Sequence, residues 1–239
     1  MFDIHSHILP AIDDGAKDIE ESLKLLKMMK NDGITTVLAT PHFYPQDTGL
    51  EDFLSASITA FNKLKKHTAN TDLPQIYLGC EILYFDGLGN SSSIRKLCLN
   101  KSNFLLLELT DYSISDRLFE NLTALMKQNG IIPIIAHIER YCKAKNYKKL
   151  ISFVIENKIP IQLNTASFFM RFFRRPLKKL LNSKAFIVLG TDTHSPDLRP
   201  PRLTDALNYI EKKYGEECKK RLIKSSELLL KKIVLKADK

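Results

Sequence analysis

Histidines and acidic residues stand at the ends of short apolar runs throughout this sequence of 239 residues. Five of the six histidines end or follow such a run: His5, His7, His42, His137 and His194. Four carboxylates lie in or just after the same runs: Asp14, Glu81, Glu108 and Asp192. One histidine at a strand end is usually a buried structural residue. Nine such groups indicate one shared site, because the carboxyl ends of strands in α/β proteins gather the functional residues.

The residue types at this site predict metal binding. His5 and His7 are two residues apart, as are Asp192 and His194. Residues i and i+2 of an extended segment point to the same side, so each pair can present two ligand atoms together. Imidazole combined with carboxylate is a ligand set that suits Mn, Fe or Zn. The spacing therefore favours a metal centre built from several strand ends.

Two arginines lie just beyond candidate ligands. Arg140 stands in the run HIERY, three residues after His137, and Arg199 stands five residues after His194. A guanidinium can hold two phosphate oxygens at once through its fork of N–H donors. We interpret both arginines as phosphate-binding residues, and a surface ion pair is the alternative for each.

The elements that position these residues are predicted from hydrophobic periodicity. Seven apolar runs are typical of parallel strands buried on both faces: FDIH, ITTVLAT, QIYLGCE, FLLLEL, IIPIIAH, PIQLN and FIVLGTD. Amphipathic stretches of helical period separate them. The first helix is predicted to start after an N-cap at Asp18 and to stop at Gly33. His67 falls in a later helical stretch among lysines, and we expect it at the surface.

The alternation of strands and helices predicts an α/β fold with parallel strands. Seven strands in a chain of this length favour closure into a barrel, and an open doubly wound sheet is the alternative. No linker or short repeat divides the sequence, so residues 1–239 are predicted to form a single domain. The Lys-rich stretch Lys231–Lys239 is expected to be a fraying helical end.

The composition, with 44% hydrophobic and 26% charged residues, indicates an ordinary globular protein. We interpret the net charge of +9 as dispersed surface lysines that would attract anionic substrates; nucleic-acid binding is the alternative. No secretion leader is evident, and no run approaches the ~20 apolar residues of a membrane span. Four cysteines without paired spacing favour a reducing cytoplasm. Cys80, next to Glu81, is expected to point away from the site.

Several motifs together resemble those of a known family. They are MFDIHSHILPAIDDGA, ATPHFYP, GCEI, LLLEL, AHIERY and GTDTHS. Over nearly the whole chain they are similar to the motifs of the PHP superfamily, specifically its bacterial protein-tyrosine phosphatase branch associated with capsule and exopolysaccharide synthesis. The resemblance implies a distorted (β/α)7 TIM-like barrel with a centre of usually three Mn²⁺ ions, for which Fe or Zn are alternatives. The family's two catalytic arginines fall on Arg140 and Arg199. Its nine metal ligands fall on His5, His7, Asp14, His42, Glu81, Glu108, His137, Asp192 and His194.

The resemblance also implies a substrate, namely phosphotyrosine in a protein such as the tyrosine-rich tail of a bacterial tyrosine kinase. Either a water or a side chain such as His42 could donate the proton to the phenolic leaving group. No cysteine begins a C-x₅-R phosphate loop, which excludes the cysteine-based route to phosphotyrosine. Alternatives within the superfamily are a histidinol-phosphate phosphatase and a nuclease. A non-catalytic partner in polysaccharide assembly is the alternative from another class.

The stretch Ser167–Arg175 is more aromatic and basic than expected for that branch. One hypothesis is a helix that packs its phenylalanines on the strands. The other is a wall or lid of the site, in which Arg171, Arg174 and Arg175 contact an acidic phosphotyrosine peptide and a phenylalanine stacks on its ring.

Overall fold

The computed structural model describes residues 1–234, and its strands all pair in parallel. The strands are β1 (Phe2–Ser6), β2 (Thr36–Ala39), β3 (His42–Phe43), β4 (Gln75–Leu78), β5 (Glu81–Leu83), β6 (Phe104–Glu108), β7 (Ile132–Ile135), β8 (Ile161–Asn164) and β9 (Ile187–Gly190). They form one sheet of order β1-β2-β4 and a second of order β3-β5-β6-β7-β8-β9. The parallel α/β architecture predicted from the sequence is confirmed.

The third predicted strand is interrupted, and the second is followed by a short strand that was not predicted. Two residues separate β2 from β3 and β4 from β5, and in each case the chain passes from one sheet to the other. Hydrogen bonds bridge the interruptions, from the Gly79 amide to the Ala39 carbonyl at 2.9 Å and from the Glu81 amide to the Pro41 carbonyl at 3.0 Å. The break places His42 and Glu81 at the start of new short strands that pair with each other.

The chain after β9 returns to β1. The His7 amide donates to the Thr193 carbonyl and the Asp192 amide donates to the His5 carbonyl, both at 2.8 Å. A parallel bridge also joins Ser6 to Thr193. The first and last strands therefore lie side by side at the end of the molecule where they carry their histidines.

Seven α-helices follow or separate the strands. They are α1 (Ile19–Asn31), α2 (Leu50–Thr68), α3 (Asp116–Asn129), α4 (Tyr147–Glu156), α5 (Arg174–Leu181), α6 (Leu203–Tyr214) and α7 (Glu216–Val234). Short 3₁₀ helices include Ile138–Tyr141, Ala166–Phe169 and Arg171–Phe173. The predicted helical end is helical as far as Val234, and residues 235–239 lie outside the described part of the chain.

The first helix illustrates how local sequence sets the element boundaries. The Asp18 carboxylate accepts a hydrogen bond from the Glu21 amide at 2.8 Å, as the N-cap prediction requires. Leu25, Leu26 and Met29 are fully buried on one face. The helix ends at Asn31, and Gly33 adopts a φ of +77°, a conformation that favours glycine.

Both faces of the strands are covered. On β6, Leu105 and Leu107 pack in a large apolar cluster, whereas Phe104 and Leu106 pack in a second cluster that includes Leu229 of α7. Such two-sided burial explains why the strands read as continuous apolar runs. Within residues 1–234, no helix is long and apolar enough to cross a membrane.

Candidate metal centre

The strand ends bring seven of the nine predicted ligands into three overlapping groups. In each group, one ligand atom per residue lies within 4.8 Å of the others. The first group is His7, Asp14, His42 and His194, the second is His5, His7 and Glu81, and the third is His42, Glu81 and Glu108. His137 and Asp192 border these groups, with His137 Nε2 at 2.8 Å from Glu81 Oε1 and Asp192 Oδ1 at 3.4 Å from His7 Nε2.

Glu81 lies at the centre of the cluster. Its Oε2 atom is 3.0 Å from His5 Nε2 and 3.1 Å from His42 Nδ1. Burial opposes ionisation of this carboxyl. The charge of His5 and hydrogen bonds from His137, His5 and His7 outweigh burial, so the pKa of Glu81 lies well below its usual value. The neighbouring Glu108 behaves differently, because burial and the charge of Glu81 raise its pKa to about 7.

The histidine rings crowd one another. His5 Nε2 and His7 Nε2 are 3.1 Å apart, and the ring centroids of His7 and His194 are 3.8 Å apart. Burial lowers the pKa of His137 and of His194 to about 4, so both rings favour the neutral form that can ligate a cation. Rings packed this closely cannot all carry a positive charge, because like charges at such distances repel.

Two of these ring nitrogens make no hydrogen bond. His42 Nδ1 and His194 Nε2 are buried, and although each lies 3.1 Å or 3.2 Å from a carboxylate oxygen, neither makes a hydrogen bond within residues 1–234. A buried polar atom without a partner costs free energy on the order of 1–3 kcal/mol. Cations placed among these nitrogens and carboxylates would supply the missing partners, so the residues fit a metal centre both by donor type and by their unsatisfied atoms.

A second layer of side chains holds the histidines in place. The Asp13 carboxylate accepts a hydrogen bond from His7 Nδ1 at 2.6 Å and others from the amides of His42 and Gly15, both at 3.0 Å. Although burial opposes it, the His7 hydrogen bond lowers the pKa of Asp13 to about 2. The sequence analysis selected Asp14 and missed Asp13. The adjacent acidic pair was the available signal, but the sequence does not say which carboxylate faces inward.

Gln162 and Tyr141 belong to the same second layer and were also missed. Gln162 Oε1 lies 3.2 Å from His5 Nδ1 and accepts the His137 amide at 2.7 Å. The Tyr141 hydroxyl lies 3.1 Å from His137 Nδ1 and accepts the Leu109 amide at 2.9 Å. These contacts fix which nitrogen of each ring faces the cluster. A glutamine inside the buried strand PIQLN was the signal.

Both predicted arginines reach the cluster through Asp192. Arg140 and Arg199 each donate from an Nη2 atom to Asp192 Oδ2, at 2.5 Å and 2.6 Å, and Asn164 donates to the same oxygen at 2.7 Å. The Arg140 and Arg199 side chains remain 38% and 39% exposed. Each guanidinium is therefore anchored beside the candidate ligands while part of it stays open to solvent.

The backbone is strained at two of these positions. His137 has a φ of 31° and Asp192 a φ of 54°, both in the left-handed region. Such conformations cost roughly 1–3 kcal/mol for residues other than glycine and persist where surrounding contacts hold them. Each residue lies two positions after the end of a strand, and its side chain contacts the cluster.

Two residues were predicted from the sequence to lie outside the site, Cys80 and His67. The buried Cys80 thiol donates to the Leu97 carbonyl at 3.1 Å. His67 is exposed in α2, as predicted.

Only part of the stretch Ser167–Arg175 follows the packing hypothesis made for it. Phe168 is buried, whereas Met170 and Phe172 are 50% and 52% exposed. Arg171, Arg174 and Arg175 are exposed. Packing therefore explains the first half of the stretch, and the second half lies at the surface.

The fold and the site define an α/β protein with a buried cluster of candidate metal ligands flanked by two arginines. The chain belongs to the CpsB/CapC family of capsular polysaccharide synthesis, whose model matches residues 1–231. This membership confirms the resemblance found in the motifs.

Characterised relatives cover nearly the whole chain. The tyrosine-protein phosphatase YwqE of Bacillus subtilis is 30% identical over 97% of this chain and 92% of its own. The tyrosine-protein phosphatase CpsB of Streptococcus pneumoniae is 32% identical over 93% and 94%. The structure is also similar to a solved one from a study of YwqE and CpsB, which describes them as unique metal-dependent tyrosine phosphatases. The two structures superpose with a TM-score of 0.85 and are 28% identical in sequence, and the match covers 97% of this chain and 95% of the other.

Proposed function

We propose that this protein is a metal-dependent tyrosine phosphatase that hydrolyses phosphotyrosine in a protein substrate. The observation that carries the proposal is the cluster of histidines and carboxylates around Glu81, with two half-exposed arginines anchored beside it on Asp192. The relatives named tyrosine-protein phosphatases support the substrate class.

The proposed ligands are the nine residues of the cluster, which would hold Mn²⁺, in a centre of three ions. Iron and zinc suit the same donors. The ligands are His5, His7, Asp14, His42, Glu81, Glu108, His137, Asp192 and His194. Bound divalent cations act as Lewis acids on phosphoryl oxygens and lower the pKa of water, which is the chemistry that hydrolysis of a phosphate ester needs.

Arg140 and Arg199 are the proposed phosphate-binding residues. Asp192 fixes one Nη2 atom of each guanidinium, which leaves further N–H donors on each to meet phosphate oxygens. Donors held in place before the substrate arrives stabilise the charge that builds up as the ester bond breaks. Only the Asp192 carboxylate lies between these guanidinium groups and the ligand cluster. Their free N–H donors would therefore lie next to the phosphorus atom of a phosphate ester bound at the cluster.

Among the side chains, His42 is the proposed donor of a proton to the departing phenolate of the substrate. Its side chain is 11% exposed, more than those of the other site histidines, so it is the ring closest to an incoming substrate. Tyr44 stacks on it with ring centroids 4.9 Å apart. Since a phenol has a pKa of about 10, its departure needs less proton transfer than that of an alkyl alcohol.

We also propose that the strands close into a distorted (β/α)7 barrel that forms a single domain over residues 1–239. The bridged interruptions reduce nine strands to seven, and the hydrogen bonds between β1 and the chain after β9 support closure. The proposed setting is the cytoplasm and the proposed partner is a bacterial tyrosine kinase. Family membership in capsule synthesis and four free cysteines support this setting.

The test compares three substrates with the purified protein and Mn²⁺: a phosphotyrosine peptide, histidinol phosphate and single-stranded DNA. The expected result is that kcat/KM for the phosphotyrosine peptide exceeds the other two by at least tenfold. Preference for histidinol phosphate or DNA would instead assign the protein to another activity of the superfamily. Loss of peptide turnover in the Arg140→Ala variant ties the activity to this site rather than to a contaminant.

A further inference from the structure

The positive charge of the protein is concentrated in one stretch of sequence. Residues 140–184 contain twelve lysines and arginines but a single acidic residue, Glu156. The whole chain has 36 basic and 27 acidic residues, so the remainder carries slightly more acidic than basic groups. The interpretation of the net charge as dispersed surface lysines is therefore wrong.

The stretch folds into two walls of a groove. One wall is formed by the chain after Arg140 and the first turns of α4, and the other is formed by α5. The groove has a volume of about 590 Å³. Four exposed cations line it: Lys145, Lys148, Arg175 and Lys179. Ile151 and Leu180 add apolar surface between them. We call this feature the basic groove.

The cations of the basic groove have no acidic partner. Among residues 1–234, none of the four makes an ion pair, whereas the nearby Lys149 pairs with Asp116. The Tyr147 hydroxyl, which also lines the groove, is buried without a hydrogen-bond partner in the same residues. Like charges gathered in a cleft without partners raise its positive potential, and this potential attracts an anionic ligand.

The groove lies close to the candidate site along the chain. It begins at Cys142, two residues after Arg140, a separation that spans at most roughly 7 Å of chain. Lys143 Nζ lies 4.6 Å from the centre of the exposed Phe172 ring and so connects the two segments that leave the site after β7 and β8. A polypeptide bound at Arg140 through its phosphotyrosine can therefore continue into the groove.

We propose that the basic groove binds an acidic segment of the substrate protein next to the phosphotyrosine. This inference rests on the proposed phosphatase function and names its substrate class: phosphotyrosine flanked by aspartate or glutamate. Apolar surface between the cations suits a polypeptide, whose acidic and apolar side chains can occupy both.

The test uses the full-length Mn²⁺-loaded protein and a fourfold charge reversal, K145E/K148E/R175E/K179E. The matched control reverses four exposed lysines outside the groove that make no ion pair in the described chain, K63E/K65E/K66E/K212E. The substrates are two phosphotyrosine peptides of equal length, one with acidic and one with neutral flanks, and p-nitrophenyl phosphate. Melting temperature reports on folding.

We expect the groove variant to raise KM for the acidic peptide about tenfold, the scale of several exposed ion pairs acting together. Turnover of the neutral peptide and of p-nitrophenyl phosphate should stay within about twofold of the wild type, as should all three substrates in the control. Equal losses on both peptides, an equal loss in the control, or an unchanged KM would overturn the proposal.

Binding of an unphosphorylated acidic peptide, followed by fluorescence anisotropy, separates the groove from the chemistry. If the wild type hydrolyses no phosphotyrosine substrate, the proposed phosphatase function is wrong. The groove proposal is still supported in that case if the groove variant loses binding of the acidic peptide and the control variant keeps it. Duplex DNA and vesicles containing phosphatidylserine are measured in parallel. If DNA or the vesicles bind more tightly than the peptide, and the groove variant loses that binding, the assignment to an acidic polypeptide is overturned.

Discussion

The candidate metal centre and the basic groove adjoin each other but are built in opposite ways. In the candidate metal centre, Glu81 and the rings around it are buried, and Asp13, Gln162 and Tyr141 make hydrogen bonds that orient the rings. In the groove the charged groups are exposed and make no ion pair with any residue of the described part of the chain, 1–234. Chemistry on a phosphate needs donors fixed before the reaction, whereas recognition of a flexible peptide tolerates mobile charges. The two regions should therefore respond differently to the same perturbation.

Metal removal should produce the largest difference between them. Without cations the buried nitrogens and carboxylates lose their partners, so chelation should abolish turnover of every substrate and lower the melting temperature, and Mn²⁺ should restore both. Binding of the unphosphorylated acidic peptide should survive chelation. Full activity in protein shown to be metal-free would refute the role of the cluster.

Replacement of either arginine by alanine should have the second-largest effect on activity. We expect Arg140→Ala or Arg199→Ala to lower kcat/KM roughly a hundredfold or more, because one donor to the charge of the transition state is lost. Metal content and melting temperature should hardly change. Arg→Lys should recover little, since an ammonium cannot reproduce the fork of donors.

The matched control for the arginines is Arg202→Ala. Its guanidinium pairs with Asp205 at 3.2 Å and lies 3.8 Å from the centre of the Phe169 ring. We expect almost full activity from it. A loss as large as that of the other two variants would show that the effect is not specific to the residues anchored on Asp192.

Asp13→Asn tests the second layer. Because Asp13 orients His7 through its Nδ1 atom, the substitution should weaken Mn²⁺ binding by roughly 10–100-fold, the effect usual for partners of metal-ligating histidines. Isothermal titration calorimetry on metal-stripped protein measures it directly. Asp18→Asn is the control, since asparagine also serves as an N-cap. Equal affinities in the two variants would remove Asp13 from the support of the site.

Added salt should change the kinetics least of these perturbations, but it should affect the two regions differently. Raising the ionic strength from about 0.05 M to about 0.5 M shortens the Debye length severalfold, so exposed charges are screened more than buried ones. We expect KM for the acidic peptide to rise a few-fold while KM for p-nitrophenyl phosphate stays nearly constant. A parallel rise for both substrates would place the salt-sensitive charges in the catalytic site instead.

Local pattern accounts for what could be predicted of the fold. The seven predicted apolar runs and the Asp18 cap depend on residues close in sequence, and each run overlaps a strand of the structure. The two-residue breaks after β2 and β4 were not visible. The run QIYLGCE reads as one strand through Leu78–Glu81, and the short strand at His42 follows a run that was predicted to end at Thr40; only the pairing between sheets reveals both features.

The sequence by itself determined which residues gather at the strand ends, because parallel strands of period two carry histidines and carboxylates to one edge whatever their detailed packing. The tertiary structure decided which of them are central and what holds them. Glu81 contacts four histidines from three other strand ends, and Asp13, rather than its neighbour Asp14, bonds His7. It also decided that the basic residues after Arg140 face those of α5 across one groove. Such contacts join residues far apart in the chain, and their geometry is set by the packing of whole elements, which no local pattern encodes.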